Sequence, residues 1–282
     1  MKKKIMQVMG SIDNEEKMGF FLFPHKYRKG LFALRLMETG VAPFSEWDRI
    51  KSMSTPWTDA LAPYADRVIE VTAEDMPLAD AEFATMFPNC EEISLRGTRV
   101  SDITPLSVMK RLRHVDIAKT CVTDISPLRC MKRLKWLDVS RTLVEDVSVL
   151  STTRRVEYLD ISYTNVRDIS AVGSLKRLRA LHASDNEGLV NIDPLCGCTA
   201  MRCLELSNTG VDRVDAVGSM PWLHDLFLGG TPIGENSITA VYRCSHLQTL
   251  DVSRTVVRSL RIGDMPELGT LICHGGRKLE IK

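Results

Sequence analysis

The chain has 282 residues, and its 37 Lys and Arg residues almost balance its 36 Asp and Glu residues. No net charge therefore steers the whole chain towards one class of partner. No apolar run approaches the roughly 18 residues of a membrane-spanning helix, and no long apolar segment follows the basic N-terminus. We therefore expect neither a membrane span nor a signal peptide, and an intracellular protein. Its compartment is expected to be the cytoplasm or nucleus, with the mitochondrial matrix as the alternative.

Residues 1–66 do not repeat, and their hydrophobic pattern is helical. Between His25 and Gly40 the apolar residues share one helical face, and the glycine is a typical stop signal. A second helix is predicted over residues 45–53, which begin with a serine N-cap. A repeat array, such as the one that follows, needs its apolar end covered. We therefore interpret residues 1–66 as a helical N-terminal cap, with a docking region for a partner as the alternative.

Residues 67–89 are interpreted as a degenerate first repeat. A strand is predicted over residues 67–71, in which Ile69 lies 24 residues ahead of Ile93 in the next repeat. Residues 79–87 have a helical pattern and are expected to lie on the convex side of this repeat.

One phrase then recurs eight times and defines eight clear repeats to about residue 265, followed by a C-terminal edge over residues 266–282. The third copy reads LKWLDVSRTLVEDV, and the skeleton is Leu-x-x-Leu-x-Leu/Val-x-x-Thr-x-Val-x-Asp-Ile/Val. The Thr or Asn that ends each short strand recurs every 22 to 24 residues. A period this regular is typical of a solenoid, here predicted over residues 67–282. The Thr or Asn positions are Thr98, Thr120, Thr142, Thr164, Asn186, Thr209, Thr231 and Thr255.

The skeleton resembles the leucine-rich repeat over roughly residues 90–279. The 22-residue length and the phrases DITPL and DISPL are similar to the short internalin-like and phosphatase-regulator-like class. The resemblance implies an α/β leucine-rich-repeat solenoid with a curved parallel β-sheet on the concave side. Prolines in the return segments favour irregular or 3₁₀ turns on the convex side. Thr mostly replaces the family Asn and has less reach, so we expect weaker links between repeats, with Asn186 as the one family residue.

Alternation along each strand predicts which side chains face outward, and equivalent residues of successive repeats stack about 4.8 Å apart. The centre of the concave face should be acidic and should place Trp136 beside Tyr158. Large outward rings on rigid strands are natural interaction anchors. We expect the strands to centre on Ile93, Val115, Leu137, Leu159, Leu181, Leu204, Leu226 and Leu250. The predicted partner-binding face comprises His114, Asp116, Trp136, Asp138, Tyr158, Asp160, Tyr163 and His182.

A basic ridge is predicted along the edge where the strands begin, and acidic residues recur every 22 residues along the opposite edge. Charged turn residues that keep the protein soluble are one interpretation of the ridge. The alternative is an acidic protein or an RNA backbone lying on it. Because aromatic residues do not interleave with these cations, the sequence favours protein over RNA. The ridge comprises Lys110, Arg111, Arg113, Lys132, Arg133, Lys135, Arg154, Arg155, Lys176 and Arg177.

The sequence contains no phosphate-binding loop, nucleophile elbow or paired zinc histidines. Its eight cysteines are interpreted as reduced structural thiols, with Cys90 and Cys273 in core columns of the repeat. Cys196, Cys198 and Cys203 match no strong metal-ligand spacing. We therefore expect no enzyme activity, metal, cofactor or small-molecule substrate.

Together these features favour a non-enzymatic adaptor or scaffold subunit that binds one or more proteins of a larger complex through its concave face. The alternative is a structural subunit of a ribonucleoprotein, held through the basic ridge. A third function, implied by the resemblance alone, is a regulatory or substrate-receptor subunit of a phosphatase or ubiquitin ligase. The sequence does not identify the partner.

Overall fold

The computed structural model describes residues 18–38, 61–275 and 279–281. They belong to two compact units, of which unit 1 ends at Val122 and unit 2 begins at Thr123. Both units are built from short parallel strands joined mainly by 3₁₀ turns, which confirms the predicted leucine-rich-repeat architecture.

Unit 1 contains five strands in its described residues. β1 (Met18–Pro24) and β2 (Phe32–Glu38) form an antiparallel hairpin. β2 then pairs in parallel with β3 (Val68–Thr72), which pairs with β4 (Glu92–Ser94), and β4 pairs with β5 (His114–Asp116). The 3₁₀ turns of this unit span Ala62–Arg67, Glu82–Met86 and Thr104–Val108.

The helix predicted over residues 25–40 is wrong, because the described residues of this segment form the hairpin. In β2 the buried side chains of Phe32, Leu34 and Leu36 alternate with more exposed neighbours, which is the period of a strand. Within the expected helical cap, residues 18–38 are therefore a β-hairpin that pairs with β3, and residues 62–66 belong to a 3₁₀ turn. The second predicted helix, residues 45–53, lies outside the described residues.

The segment interpreted as a degenerate first repeat differs from the prediction in two places. β3 confirms the predicted strand, but Val71 rather than Ile69 pairs with Ile93, so this repeat is also 22 residues long. The segment predicted as a helix over residues 79–87 is a 3₁₀ turn, Glu82–Met86. Its short length fits the 22-residue period, which leaves little chain for a full helix.

Unit 2 contains seven consecutive parallel strands of three residues each and a separate parallel pair. The seven are β6 (Trp136–Asp138), β7 (Tyr158–Asp160), β8 (Ala180–His182), β9 (Cys203–Glu205), β10 (Asp225–Phe227), β11 (Thr249–Asp251) and β13 (Thr270–Ile272). The separate pair is β12 (Ser259–Leu260) with β14 (Glu280–Ile281). All eight predicted strand centres, in both units, are confirmed. The array also continues beyond residue 265, because β13 pairs with β11.

The return segments of unit 2 are 3₁₀ turns with one short α-helix, α1 (Glu235–Ile238), which confirms the predicted convex side. Proline occupies one of the first two positions in the turns that begin at Ser126 and Asp193, where its fixed φ suits the turn. The 3₁₀ turns span Ser126–Cys130, Ser148–Thr152, Ser170–Ser174, Asp193–Gly197, Asp215–Ser219, Thr239–Arg243 and Ile262–Asp264.

The acidic residues that recur on the edge opposite the ridge have a structural role. In each case one carboxylate oxygen accepts the backbone N–H of the residue two positions later, at 2.7 to 2.8 Å, just as the 3₁₀ turn begins. Hydrogen bonds from the Thr104 and Ser170 side chains lower the pKa of Asp102 and Asp168, and these backbone bonds lower it further. The stripe is thus a set of turn caps rather than a free surface charge. The four residues are Asp102, Asp124, Asp146 and Asp168.

The core is a set of apolar columns in which each repeat contributes the same positions. The central leucine of each strand of unit 2 from β6 to β11 is 0% exposed. Full burial of one leucine side chain contributes roughly 2 kcal/mol. No single repeat can bury these residues alone, so neighbouring repeats stabilise each other. The central residues are Leu137, Leu159, Leu181, Leu204, Leu226 and Leu250.

The repeated threonine forms a hydrogen bond inside its own repeat. Its buried hydroxyl donates to the carbonyl of the residue three positions earlier, at 2.6 to 2.8 Å, in all seven threonine copies. This bond closes the turn that follows the strand. Six of these hydroxyls bond within their own repeat, and the hydroxyl of Thr164 also lies within hydrogen-bond distance of Asn186 in the next repeat.

Asn186 does link two repeats. Its side-chain amide donates to the carbonyls of Ile161 in the preceding repeat (2.8 Å) and Ala183 in its own (3.0 Å). Its Oδ1 accepts the backbone N–H of Thr164 (3.2 Å) and lies 2.9 Å from the Thr164 hydroxyl, whose single proton it shares with the Ile161 carbonyl. The amide therefore ties two successive turns together where threonine closes only one.

The residue before each of these threonines or Asn186 has a left-handed backbone, with φ between 55° and 76°. Glycine occupies this position at Gly97 and Gly230, where left-handed φ carries no Cβ penalty. Elsewhere the chain has residues for which this conformation costs roughly 1 kcal/mol or more. They are Lys119, Arg141, Tyr163, Asp185, Asn208 and Arg254.

Within the described ranges, no helix is both long and apolar enough to cross a membrane.

We expect Thr142→Val to lower the free energy of unfolding by about 1 kcal/mol, although the two side chains have almost the same volume. The substitution leaves the Val139 carbonyl without the 2.6 Å bond that the buried Thr142 hydroxyl donates. Urea-induced unfolding of both proteins measures the difference. Thr142→Ser, which keeps the hydroxyl, is the control. An unchanged or raised stability of the valine variant would mean that the threonine column contributes packing only.

Candidate functional site

The open strand face of unit 2 carries a stack of aromatic rings. Trp136 and Tyr158 occupy the first positions of β6 and β7, and their backbones are in direct register. The two rings are 4.8 Å apart between centroids and 6° from parallel. Both side chains are half-buried. The prediction that the two rings lie side by side is confirmed, and the strand spacing itself produces the stacking distance.

His182, on β8, extends this stack and is fixed by an acidic partner. Its ring lies 5.3 Å from Tyr158, tilted by 38°. Its Nδ1 is 2.8 Å from Oε2 of Glu205 on the neighbouring β9. This hydrogen bond raises the pKa of His182, against the opposing effect of burial, and lowers the pKa of Glu205. The pair therefore holds the imidazole in one orientation beside the tyrosine.

The aspartates of this face are less exposed than the sequence predicted. Asp138 is 5% exposed, and Asp160 is half-buried. The Oδ1 atom of each accepts the backbone N–H of the serine two positions later, at 2.8 and 2.9 Å. The carboxylates therefore lie down against the turn instead of extending into solvent. Burial raises the pKa of Asp160, and the charge of Asp138 on the adjacent strand raises it further.

Tyr163 lies beyond the end of β7, on the left-handed turn, and is 45% exposed. The Arg141 guanidinium of the preceding repeat lies 3.8 Å from the centroid of its ring. This is a cation–π contact, which is worth roughly 0.5–1 kcal/mol at an exposed site. Tyr163 is therefore held by Arg141 at the end of the strands rather than by the Trp136–Tyr158 stack.

The remaining two residues of the predicted face, His114 and Asp116, belong to unit 1. His114 is half-buried at the first position of β5. Asp116 is 8% exposed, its Oδ1 accepts the backbone N–H of Ala118 at 3.0 Å, and Arg96 lies 3.7 Å from its Oδ2. Asp116 thus has the same turn-capping role as the aspartates of unit 2.

The ten residues of the basic ridge are all exposed. In unit 1, Arg113 lies 3.4 Å from Glu91, which also pairs with Arg28 at 2.8 Å. In unit 2, Glu157 pairs with Lys135 at 3.0 Å and with Arg179 at 3.7 Å. Glu157 therefore compensates part of the positive charge where these strands begin.

The described residues hold no group of three or more His, Cys, Asp or Glu side chains arranged to bind a metal. All eight cysteines are free thiols. Cys90 is buried as predicted, but the prediction that Cys273 is a core residue is wrong, because it follows the last strand of the array and is exposed. On the strand face, burial and the nearby carboxylates raise the pKa of Cys203 to about 11, so its thiol stays protonated at neutral pH.

Three contacts were not predicted, although one signal could have found them. Glu205 follows His182 by one repeat, and Arg141 precedes Tyr163 by one repeat. Trp222 and His246 also occupy equivalent positions in successive repeats, and their rings stack 5.1 Å apart and 1° from parallel. Reading each column for complementary neighbours, rather than for single residue types, would have shown all three.

No family model and no curated protein matches this sequence. Solved structures do match. An internalin (inlF) from Listeria monocytogenes has a TM-score of 0.72 and 21% identity, over 79% of this chain and 65% of its own. The ectodomain of the Arabidopsis thaliana receptor kinase GASSHO1/SCHENGEN3, in complex with CASPARIAN STRIP INTEGRITY FACTOR 2, matches with a TM-score of 0.66 and 17% identity. The match covers 90% of this chain and 31% of the receptor chain. TLR13 in its complex with ssRNA13 matches with a TM-score of 0.64 and 15% identity, over 78% of this chain and 34% of the TLR13 chain.

These similarities show the fold, which is that of leucine-rich-repeat proteins with short repeats. The chain spans about two thirds of the length of the internalin and about a third of the two receptor chains.

The His182–Glu205 pair predicts a stability difference that depends on pH. The raised pKa of His182 contributes stability that is complete below its ordinary value of 6.5 and is lost as pH rises through the folded value. The lowered pKa of Glu205 contributes stability above 4.5 that is lost as pH falls. Glu205→Gln should therefore destabilise most between about pH 4.5 and 6.5, by up to about 1 kcal/mol for this partly exposed pair.

Urea unfolding of wild type and Glu205→Gln at about pH 5.5 and 8.5 checks this expectation. Glu187→Gln, at an exposed glutamate in the same unit, is the matched control. An equal loss of stability at both pH values would show that the glutamate acts through packing rather than through its charge.

Proposed function

We propose that this protein is a non-enzymatic binding module that serves as an adaptor or scaffold subunit in an intracellular protein assembly. Its partner docks on the strand face of unit 2, and the contact segment of that partner is basic. The observation that carries this proposal is the parallel stack of Trp136 and Tyr158 beside the carboxylates of Asp138 and Asp160.

The aromatic stack has the properties of an interaction anchor. The two rings are held on strands whose backbones are fixed by parallel pairing, so little side-chain entropy is lost when a partner covers them. Tyr158 is further held by His182, which Glu205 fixes. Trp and Tyr side chains dominate the binding energy of many protein interfaces, where a buried anchor contributes about 2 kcal/mol or more.

The charge of the face determines the kind of partner. Among the first and third positions of β6 to β11 there are five carboxylates and no lysine or arginine. Asp138 and Asp160 are neighbours on adjacent strands, and the negative charge of Asp138 raises the pKa of Asp160. An arginine or lysine of a partner would stack on the rings and neutralise these charges at the same time. The five carboxylates are Asp138, Asp160, Glu205, Asp225 and Asp251.

The chemistry of the face favours binding over catalysis. The Cys203 thiol is protonated at neutral pH, and the imidazole of His182 is engaged by Glu205. The aspartates accept backbone hydrogen bonds that hold the turns. His182, Asp138 and Asp160 are thus engaged in bonds within the structure. The receptor ectodomain of similar fold, which is in complex with a partner, is consistent with this interpretation.

We expect Trp136→Ala combined with Tyr158→Ala to weaken partner binding about thirtyfold or more while the fold is kept, because both side chains face outward. A displayed library of random peptides, selected on the immobilised wild-type protein, supplies the probes. Lysine- or arginine-rich peptides should be enriched, and their affinities for both proteins are then measured by calorimetry. Thermal unfolding confirms that the variant is folded.

Two further variants make this test specific. Asp160→Asn keeps an oxygen that can accept the Ser162 N–H but removes the charge, so it should weaken basic peptides several-fold and leave the fold intact. Arg133→Glu, Arg155→Glu and Arg177→Glu together change the ridge and should leave these peptides bound. Enrichment of acidic peptides, or undiminished binding by the aromatic double variant, would contradict the proposal.

A further inference from the structure

The basic ridge of unit 2 is a distinct surface, on the edge where the strands begin. The four segments 132–135, 154–157, 176–179 and 199–202 precede or enter β6 to β9, and together they carry nine lysines and arginines and one acid, Glu157. The equivalent segments of the next three repeats, 221–224, 245–248 and 266–269, carry no lysine or arginine. The positive charge is therefore concentrated on one half of the edge.

Solubility alone does not explain this distribution. Arg133, Arg155 and Arg177 occupy one column, in the turns that precede strands about 4.8 Å apart. Like charges at equivalent positions destabilise a sheet, whereas a soluble edge is achieved equally well by mixed charges. Glu157 compensates Lys135 and Arg179 at the start of the strands but not this outer column. A repeated cation column suits a ligand with regularly spaced negative charges.

The same column continues into an exposed aromatic pair. Its members after Arg177 are Ala200, Trp222 and His246. Trp222 is 55% exposed although it is a large apolar side chain, and one face of its ring stacks on His246. The His246 ring is itself held by Glu267, whose Oε1 lies 3.0 Å from Nδ1. The indole is thus a rigid platform at the end of the cationic column.

Ala200 leaves the second face of the indole open. Because His246 covers the face towards the C-terminal side, the opposite face is turned towards the preceding repeat, where the column has only a methyl group. Arg177, the next long side chain, starts two repeats away, about 10 Å from Trp222. A planar ring about 3.5 Å from the indole would fit in this gap, with the guanidinium on its other side.

We propose that unit 2 binds a single-stranded polynucleotide along this edge, with phosphates on the arginine column and one base stacked on Trp222 above Ala200. RNA and single-stranded DNA both offer phosphates and bases, and none of the proposed contacts involves the 2′-hydroxyl that distinguishes them. Positive grooves that end in stacking platforms are the common design of proteins that bind single strands without sequence preference. The site is separate from the aromatic face of β6 to β8, so it adds a second activity to the proposed binding module.

The ring platform is what favours a nucleic acid over an acidic protein. An acidic peptide would satisfy the arginines but has no planar group at regular intervals to occupy the open face of Trp222. A duplex would satisfy the arginines too, but its bases are stacked on each other and cannot reach the indole. An acidic peptide or a duplex would therefore bind equally well with or without the Trp222 ring, whereas a single strand would bind more weakly without it.

The experiment uses the full chain and fluorescently labelled RNA and DNA single strands of about ten nucleotides, a length within the range of single-strand modules. A duplex of the same length and a poly-glutamate peptide are the competitors. We expect both single strands to bind, and fluorescence anisotropy to show an affinity that falls steeply as salt increases.

Three variants define the site. Arg133→Glu with Arg155→Glu and Arg177→Glu should weaken binding about a hundredfold and reduce the slope of log affinity against log salt by about 2, or about 0.7 for each lost phosphate contact. Trp222→Ala should weaken it about tenfold, as expected for one stacked base, with little change in that slope. Ala200→Leu, which fills the gap without removing a ring or a charge, should weaken it by a similar factor.

The matched control is Arg129→Glu with Arg167→Glu and Arg258→Glu, which changes the net charge equally at exposed arginines outside the column. It should bind single strands almost as well as wild type, and thermal unfolding verifies that every variant is folded. Equal losses from both triple variants would reduce the effect to overall charge and overturn the proposal. So would binding that Trp222→Ala and Ala200→Leu leave unchanged, or a preference for poly-glutamate or the duplex.

Discussion

Within each unit, a repeat is stabilised by the next through parallel backbone pairing, and the other features depend on that contact. The strands β6 to β11 are only three residues long, too short to be stable alone, yet their central leucines are fully buried. The hydroxyl of the repeated threonine closes the turn after each strand, and a carboxylate closes the return turn. Most stabilising contacts therefore lie between neighbouring repeats, and the outward positions are left free to vary.

That freedom explains why two different surfaces can occupy one array. The inward positions fix the fold, so a change at an outward position alters a column without altering the core. The strand face of unit 2 collects acids and aromatic rings, whereas the edge before the strands collects arginines. Stacking at about 4.8 Å converts each sequence period into a line of equivalent groups. The two proposed ligands, a basic peptide segment and a single-stranded polynucleotide, are extended chains that can contact several members of a column at once.

The repeat made most of the fold predictable, because Leu137 and its equivalents recur with a period that only one architecture satisfies. The segment over residues 25–40 was mispredicted because a single unrepeated segment offers no such check, and its pairing with β3 outweighed a helical spacing. At the site, the positions of Trp136 and Tyr158 followed from the period. The orientation of Asp138 did not, because the backbone N–H that its carboxylate accepts is defined only by the turn. The Trp222–His246 stack was overlooked because the two residue types differ.

The one asparagine in the threonine column has a consequence for how the molecule opens. In an array where each repeat contacts only its neighbours, unfolding starts at an end and propagates inwards one repeat at a time. Asn186 joins the turns of two repeats through bonds to Ile161 and Thr164. This junction should stop fraying that starts from the C-terminal side. Backbone amides before it should therefore exchange with solvent more slowly than those after it, and the aromatic stack of β6 and β7 lies on the slowly exchanging side.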